Sequence, residues 1–548
     1  MAHRSLAPLT ILLFVTLTAV ADEGHHHDHG PLDLGSVGSV SFRTSCSGAV
    51  QKDFNRAVAL MHSFWYAEAE KAFGSVAAAD PKCGMAQWGV AMSNYHPLWA
   101  PPTPDELRRG REAAVKAKAI GAKTPRERAL IDAVNAFYAD SDKVDHATRA
   151  AAFEKAMASA EAGSPDDDET AIFHALSLLG TASASDKTYA VQKRAAETLN
   201  RILAKAPEHP GIAHYIIHSY DYPALATLAL PAARAYAKLA PGSPHALHMP
   251  SHIFTRLGLW DESIASNTAS AGKAHAYVEQ LKPGAASFDE LHAIDYLVYA
   301  NLQQGNDERA KELRDRVAEL DGDTGVYLAN FAAAYALGAV PARYALERRQ
   351  WAEAAHLTMP RAESLFKSNA YAEANLHFAR AIGAARSADL NTAKAAVDRL
   401  GEIRQQLLDQ KNAYWAGQVE IQRTAGLAWL AYAAGLKDEG LRLMLSTAEL
   451  EDQTEKHPVT PGAVVPAREL YADMLLESGQ PAAALAAAEK VLTVAPNRYN
   501  AILLAARSAE SAGDSQKAQA HYRELLQLAK GASARPELEK ARTYMAAR

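Results

Sequence analysis

Apolar and polar residues alternate with a helical period along almost the whole chain, from about Val50 to the end. Alanine-rich amphipathic stretches of 10–15 residues are separated by short turns that contain Gly, Pro or Asp. Apolar positions that recur every three or four residues indicate helices with one buried face. Ala, Leu, Glu, Lys and Arg are frequent and are strong helix formers. The pattern therefore predicts an all-α fold.

One early apolar run departs from this pattern. Residues 9–17 (LTILLFVTL) follow Arg4 and precede the sequence AVA at 19–21, which matches the small-x-small cleavage pattern of export signals. The run is shorter than the roughly 20 residues that span a bilayer. We therefore predict a signal peptide over 1–21 and an exported mature protein, periplasmic or secreted, without a membrane span. An uncleaved membrane anchor is the alternative interpretation.

The segment behind the predicted cleavage site is rich in histidine. Because Gly and Pro interrupt it, we interpret residues 22–43 as a flexible N-terminus. Closely spaced histidines chelate divalent metals, and a tail without function is the alternative. The histidines of this tail are His25, His26, His27 and His29.

The chain contains two cysteines, Cys46 and Cys83. Outside the cytoplasm these residues can form a disulfide. The closed loop of about 38 residues would stabilise the fold by about 4 kcal/mol through chain entropy. Two cysteines are too few for a cysteine-ligated iron–sulfur cluster or a four-cysteine zinc module.

Composition and missing motifs exclude several further classes. Hydrophobic residues make up 49% of the chain, which excludes a mostly disordered protein. The net charge of −6 disfavours general nucleic-acid binding. The sequence His-Tyr-Ile-Ile-His lacks the glutamate of thermolysin-type proteases, and neither a Gly-x-Ser-x-Gly nor a P-loop motif occurs.

A proline follows an alanine by twelve residues in four places along the chain. Pro207 and Pro241 lie 34 residues apart, and the same spacing separates Gly479 from Gly513. Such a period indicates a repeat architecture in which stacked units share one core. The four pairs are Ala69 and Pro81, Ala195 and Pro207, Ala229 and Pro241, and Ala484 and Pro496.

This pattern resembles the tetratricopeptide repeat (TPR), a 34-residue helix pair. The segments HYIIHSYD and PHALHMPSHIFTRLGLW resemble those of exported bacterial TPR proteins. The resemblance implies a right-handed TPR-like solenoid of antiparallel helix pairs, in which the first helix of each pair lines a concave groove. We divide the chain into an N-terminal TPR-like domain over 44–320, degenerate helical repeats over 321–460 and a C-terminal TPR pair over 461–548.

In the TPR frame, three successive first helices carry histidines at positions that face the groove. Neutral imidazole binds Zn, Cu, Fe and Ni, and carboxylates complete such sites. Binding should weaken as pH falls through about 6, because protonated imidazole cannot bind a metal. We predict a transition-metal site for one ion with an open position or for two ions, with Cu or Zn as the metal, whose ligands are His214, His218, Asp221, His245, His248, His252, His292 and Asp295.

A second set of side chains is predicted to line a ligand pocket around this site. Tyrosine hydroxyls can hydrogen-bond the ligands, and Arg256 can dock a carboxylate or phosphate. For His62, His96 or His174 taken singly, a peptide contact or a solvated residue is the simpler interpretation. The set comprises His62, Trp88, His96, Trp99, His174, Tyr215, Arg256, Tyr296 and Tyr299.

Three functions are compatible with these features, and the sequence leaves open whether the protein is an enzyme. The first is metal handling or sensing by an exported solenoid. The second is metal-dependent catalysis at the same site, by an oxidoreductase or a hydrolase. The third is a metal-free scaffold that binds a peptide or protein partner in the groove or at the C-terminal repeats. In the third case a His/Asp/Tyr hydrogen-bond network, or direct binding of an anionic ligand, explains the histidines.

Overall fold

Short polar side chains and prolines begin many of the helices in the computed structural model, which describes residues 34–98, 100–183, 185–532 and 535–547. Thr103 and Thr124 each accept a hydrogen bond from the backbone of a glutamate three residues later, and that glutamate bonds back to the threonine. Such capping boxes satisfy backbone N–H groups that the helix itself leaves unpaired. The predicted signal peptide, the histidine tail and Trp99 lie outside the described residues.

The helices follow one another with short connections. After a 3-10 turn at Gly48–Val50 come α1 (Gln51–His62), α2 (Tyr66–Ala79), α3 (Gly84–Tyr95), α4 (Pro104–Ile120), α5 (Pro125–Tyr138), α6 (His146–Gly163), α7 (Asp168–Gly180), α8 (Ala190–Leu203) and α9 (Pro210–Tyr220). The next are α10 (Ala226–Leu239), α11 (Pro244–His248), α12 (Pro250–Arg256), α13 (Trp260–Leu281), α14 (Phe288–Gln303), α15 (Asp307–Glu319), α16 (Phe331–Glu347), α17 (Trp351–Ala355) and α18 (Glu363–Ser368). The last are α19 (Ala370–Arg386), α20 (Leu390–Asp409), α21 (Ala413–Ala433), α22 (Lys437–Asp452), α23 (Ala467–Glu477), α24 (Pro481–Val494), α25 (Tyr499–Ala512), α26 (Ser515–Leu528) and α27 (Pro536–Ala546).

Most helices pack mainly against the helix before and the helix after them, whereas α16 packs mainly against α14 and α19. Two short strands, β1 (Ala286–Ser287) and β2 (Val326–Tyr327), pair in parallel, with Ala286 opposite Val326. The prediction of an all-α fold built from a long succession of packed helices is confirmed. None of the described helices is both long and apolar enough to cross a membrane.

The alanines of the repeat pattern lie where paired helices touch. Ala195 on α8, Ala229 on α10 and Ala484 on α24 are all fully buried. A methyl group at these places lets the two helices of a pair approach closely, since a larger side chain would have to displace the facing helix. The 34-residue period therefore has a packing cause.

Replacing Ala229 with leucine should destabilise the protein by about 1–3 kcal/mol, because the added carbons overpack this contact. Ala235→Leu on the same helix is the matched control, since Ala235 is exposed. Urea unfolding followed by circular dichroism measures both variants. Equal stability of the two variants would contradict the assigned helix contact.

The extended segment before α1 packs against the first helices. Val37 and Phe42 are buried, and the Phe42 ring lies 5.4 Å from the rings of both Phe54 and Trp88. The described part of the N-terminus that we expected to be flexible is therefore part of the core. Cys46 and Cys83, the pair expected from the sequence, form a disulfide with 4.9 Å between their Cα atoms, which ties this segment to the start of α3.

The last helices fold back onto the middle of the chain. Trp260 Nε1 donates to Asn497 O at 2.8 Å, and Arg498 Nη1 donates to Tyr299 Oη at 3.1 Å. Asn500 Nδ2 donates to Glu347 O at 2.9 Å. These contacts hold the start of α25 against α13, α14 and α16. They also bring the connection between α22 and α23 close to the histidine-bearing helices.

Candidate metal centre

Four helices bring the six predicted histidine ligands together. Helix α9 carries His214 and His218 one turn apart, and α14 carries His292. The proline between α11 and α12 sits at the start of α12, so that His245, His248 and His252 come from two short helices in succession. All six imidazoles are buried, none more than 8% exposed. They therefore lie inside the protein, although the sequence suggested an open groove surface.

The first three histidines form a compact triad, which we call triad A: His214, His218 and His245. Its central imidazole is His214, whose Nε2 lies 3.1 Å from His218 Nε2 and 3.2 Å from His245 Nε2. On its other side His214 Nδ1 donates to the backbone oxygen of His62 at 2.6 Å. The Phe64 ring lies 4.3 Å from the ring of His214 and stacks on the other two rings at 5.5 Å. Triad A is thus a nitrogen cluster closed by an aromatic lid.

The other three histidines form triad B: His248, His252 and His292. His248 Nε2 lies 3.0 Å from His252 Nε2, and the His248 and His292 rings are 4.3 Å apart. In each triad the three candidate ligand atoms lie within 4.8 Å of one another. Two ligands of one metal are about 3–4 Å apart when each lies about 2.1 Å from the ion. Both triads therefore have the spacing of a metal site.

In two histidines of triad B, His248 and His252, hydrogen bonds at the outer nitrogen Nδ1 determine the protonation state of the inner nitrogen Nε2. Asn267 Nδ2 donates to Ser263 O, so the amide oxygen of Asn267 faces His248 and accepts from its Nδ1 at 2.6 Å. His252 Nδ1 donates to Asp221 Oδ2 at 2.9 Å. A neutral imidazole carries a single N–H. Both Nε2 atoms therefore present lone pairs to each other, an arrangement that a cation between them would stabilise.

The two triads are neighbours. The rings of His218 and His252 are 6.2 Å apart, and those of His245 and His248 are 6.1 Å apart. Burial lowers the pKa of all six imidazoles, in the case of His214 to about 3, and repulsion from neighbouring imidazoles adds to this effect for all of them except His252. The cluster therefore stays neutral at neutral pH, which is the form that binds metals.

Asp221 lies beside triad B as a supporting carboxylate. Besides the bond from His252, it accepts from Arg256 Nε at 2.8 Å and from Lys456 Nζ at 3.1 Å. Burial alone would raise the pKa of Asp221, but these cations and His252 hold it well below its usual range. The sequence predicted Asp221 as a metal ligand, whereas its oxygens are engaged in orienting His252 and pairing two cations. This is the usual role of a carboxylate behind a histidine ligand.

Lys456 belongs to a segment that covers the centre. Residues 453–466 connect α22 to α23, and we call this segment the strap. Tyr296 Oη lies within hydrogen-bond distance of the strap oxygens Pro458 O and Thr460 O, at 3.2 and 3.1 Å. The fully buried Arg343 donates to Thr460 Oγ1 and Gly462 O, each at 2.7 Å. The chain's own strap thus occupies the face that a free groove would expose.

Asp295 and Tyr299, which the sequence placed with the histidines, serve other contacts. Asp295 Oδ1 accepts from Arg343 Nε at 2.8 Å, so this carboxylate holds the strap anchor and not the metal site. Tyr299 Oη accepts from Arg498. Tyr296, by contrast, does reach the centre, because its Oη lies 3.4 Å from His252 Nε2.

His62 lies directly behind triad A in a separate cluster. Its Nε2 lies 3.2 Å from one oxygen of Glu169, and His209 Nε2 lies 3.0 Å from the other. His62 Nδ1 lies 2.9 Å from Tyr215 Oη. The carboxylate of Glu169 accepts from both imidazoles, whereas His209 Nδ1 is buried and has no hydrogen-bond partner among the described residues. The cluster's connection to the centre is the His62 backbone oxygen that orients His214.

The remaining predicted pocket residues lie away from the histidine cluster. Trp88 is buried among aromatic rings and contacts Phe73 and Phe173. His96 Nδ1 hydrogen-bonds Ala100 O at 2.6 Å. His174 is held on α7 between Glu154 and Glu161. Among the described residues, Trp88, His96 and His174 therefore make these contacts and do not contact the six imidazoles of the triads.

Sequence reasoning missed five of the residues that support the centre. His209 directly precedes α9, whereas the other four come from α7, α13, α16 and the strap, whose three prolines indicated only a loop. No local pattern connects these positions to helices that are up to 240 residues away. The five residues are Glu169, His209, Asn267, Arg343 and Lys456.

No protein-family model and no curated protein sequence matches the chain. Solved structures with similar helix arrangements include a tetratricopeptide repeat protein from Parabacteroides merdae (16% identity, TM-score 0.29, covering 55% of this chain and 97% of that one). The APC/C hetero-tetramer Cut9-Hcn1 matches at 11% identity and TM-score 0.28, over 91% of this chain and 95% of that one. A STAND signal-transduction ATPase with a tetratricopeptide repeat sensor from Pyrococcus horikoshii matches at 11% and 0.29, over 76% and 55%.

Proposed function

We propose that this protein binds two transition-metal ions, one in each histidine triad, with copper or zinc as the metal. The observation that carries the proposal is the pair of Nε2 lone pairs in triad B, which face each other across 3.0 Å. Asn267 and Asp221 hold both outer nitrogens as donors, so neither inner nitrogen carries a proton to share. A metal ion between the two Nε2 atoms would supply the positive charge that attracts both lone pairs.

The donor set favours copper over harder metals. Each triad offers three neutral imidazoles, and the nearby carboxylates are already engaged with Arg256, Lys456 and Arg343. Imidazole ligands suit copper and zinc, whereas magnesium and calcium require oxygen ligands. A neutral donor set also suits a singly charged ion best in a buried site, because less charge has to be compensated. Cuprous copper therefore fits the centre well.

Metal handling or sensing outside the cytoplasm is the role that we propose for this centre. Burial of all six imidazoles and the strap above them support retention of a bound ion over rapid exchange with solvent. The predicted export signal and the disulfide between Cys46 and Cys83 support an oxidising compartment. Catalysis by the same centre is the second candidate. It is supported by a large cavity next to the centre, because Arg256 and Lys456 line this cavity and also pair with Asp221 beside triad B.

A metal-free scaffold is the third candidate, since a TPR-like fold suggests protein interactions. The strap occupies the face over the histidines, so a peptide partner would have to bind elsewhere, for instance on the C-terminal repeats. Partner binding there is compatible with a metal centre in the N-terminal half.

The proposal is tested by the metal content of the full chain, purified without an affinity tag. After removal of metals and incubation with cuprous or zinc ions, we expect two tightly bound ions per chain by elemental analysis. Replacement of His25, His26, His27 and His29 by alanine is the control and should leave these two ions in place. Loss of all tightly bound metal in this control would assign binding to the tail and contradict the proposal.

A further inference from the structure

A cavity of about 920 Å³ lies next to the metal centre, between the strap and helices of the middle and last thirds of the chain. Arg256 and Lys456 belong to its wall, and so do Tyr371 and Trp415. This volume is in the range that holds an organic ligand and far exceeds that of an inorganic ion. We therefore asked which kind of molecule the wall would recognise.

Cationic side chains outnumber acidic ones in this wall. Among the described lining residues five are Lys or Arg and three are Asp or Glu. Arg256 and Lys456 share the carboxylate of Asp221, which lies behind the wall. Arg256 Nη2 also lies 4.0 Å from Glu455 Oε2, whose other oxygen pairs with Lys187, so three cations face two carboxylates here. A second Lys and Arg pair of the wall shares Asp452, at 2.8 and 2.6 Å. Each of these two groups therefore has one more positive than negative charge.

The other acidic groups do not reverse this balance. Glu455 Oε1 pairs with Lys187 Nζ at 2.6 Å. Glu451 is buried, and this burial raises its pKa to about 7, so that its carboxyl group is only partly ionised at neutral pH. Lys456 and Arg256 are themselves about nine-tenths buried, where an uncompensated charge is costly. An anion bound beside these two residues would remove that cost.

The part of the wall next to Lys456 is aromatic. The following residue, His457, packs 5.2 Å from the ring of Trp415, and Trp415 stacks on Tyr371 at 4.0 Å. Tyr335 and Tyr414 lie 5.8 and 5.2 Å from Trp415. Rings grouped in this way favour a flat apolar ligand. The aromatic cluster adjoins the cations because residues 456 and 457 are consecutive in the strap.

We propose that this cavity is a binding site for an organic anion, a carboxylate attached to a flat apolar ring system. The carboxylate lies at Arg256 and Lys456, and the ring system lies against the cluster around Trp415. The site needs no metal, so the proposal stands independently of the metal centre. Where both hold, the ligand lies beside triad B, since Asp221 contacts both wall cations and His252.

The test uses the metal-free full chain and two probes of equal shape, 2-naphthoate and its neutral analogue 2-naphthamide. Isothermal titration calorimetry should show at least about tenfold tighter binding of the carboxylate, because only it gains the charge-assisted contacts. Lys456→Met should weaken naphthoate binding about tenfold or more and leave naphthamide binding nearly unchanged. Lys394→Met is the matched control, since Lys394 is exposed, lies outside the cavity and pairs with Asp398 on the same helix.

Equal affinity for the two probes, or no binding of either, would overturn the proposal without any variant. If Lys456→Met lowers the melting temperature strongly, Arg256→Gln replaces it, because that change keeps a donor toward Asp221 and removes the charge. Naphthoate binding that survives a folded variant at either position would also overturn the proposal. A failure of metal binding leaves these outcomes unaffected, because no metal is present in the experiment.

Discussion

Replacing His248 with alanine is expected to lower the copper content of the loaded protein from two ions per chain to one. His248 supplies one of the two facing lone pairs of triad B, and without it the ion of that triad keeps two imidazoles. Triad A shares no ligand with triad B, so its ion should stay. His218→Ala should have the mirror effect and empty triad A alone. Elemental analysis after gel filtration measures both variants, and circular dichroism checks that helicity is kept.

The matched control is His174→Ala. His174 is also a buried histidine on a helix, but it contacts Glu154 and Glu161, away from the triads. This variant should retain two ions. Loss of both ions in His248→Ala would mean that the six histidines bind as one cooperative unit. Unchanged copper content in both His248→Ala and His218→Ala would refute the assignment of these histidines as ligands.

Acid should unfold the metal-free protein close to pH 5, well before it unfolds the loaded protein. In the unfolded chain histidine has a pKa near 6.5. In the folded chain burial lowers the pKa of all six centre histidines, in the case of His214 to about 3. Their contribution to stability is therefore complete above pH 6.5 and is lost as pH falls from there toward the folded pKa values, because only the unfolded chain takes up protons in this interval.

The expected effect is large. Each such histidine lowers the free energy of unfolding by about 1.4 kcal/mol per pH unit once the unfolded form is protonated, so six give about 8 kcal/mol per pH unit. Typical domains have only about 5–15 kcal/mol of total stability. Bound metal opposes this loss, because protons must displace the ion before the site can open. Exposed histidines would lose a bound metal to protons at about pH 6. Because burial lowers the pKa of these histidines, protons should displace the metal only at a lower pH.

Urea midpoints at pH 7, 6 and 5.5 measure this dependence for the metal-free chain. The double variant His214→Gln and His248→Gln removes two of the six groups and should reduce the slope by about a third. His521→Gln is the control, since Glu524 and Glu489 raise the pKa of His521 and its loss cannot relieve acid sensitivity. A metal-free protein whose stability is flat from pH 7 to pH 5 would show that the imidazoles are already solvated or protonated.

Local sequence information predicted the helix pairs and predicted that histidines from different helices lie close together. The 12-residue spacing of alanine and proline follows from the close contact of paired helices, as buried Ala195 and Ala229 show. The same frame brought His214, His218 and His248 to one face of consecutive helices. A helix repeats every 3.6 residues, so spacing along one helix, and between helices of a regular stack, determines which side chains can meet.

The tertiary structure alone decided how the histidines divide and what surrounds them. Two triads form because α11 places His245 beside the histidines of α9 and His248 beside His292 of α14, while α12 adds His252 to the second triad. Asn267 reaches the centre from α13, the helix that follows α12, whereas Arg343 and Lys456 join it through packing between distant segments. Those contacts depend on where α25 docks on α14 and α16, a long-range packing event that places the strap over the imidazoles. The helical period is a property of neighbouring residues, whereas the burial of a side chain and the charges around it depend on the whole fold. The sequence therefore showed which residue types could bind a metal. It did not show their protonation states or that they are buried under the strap.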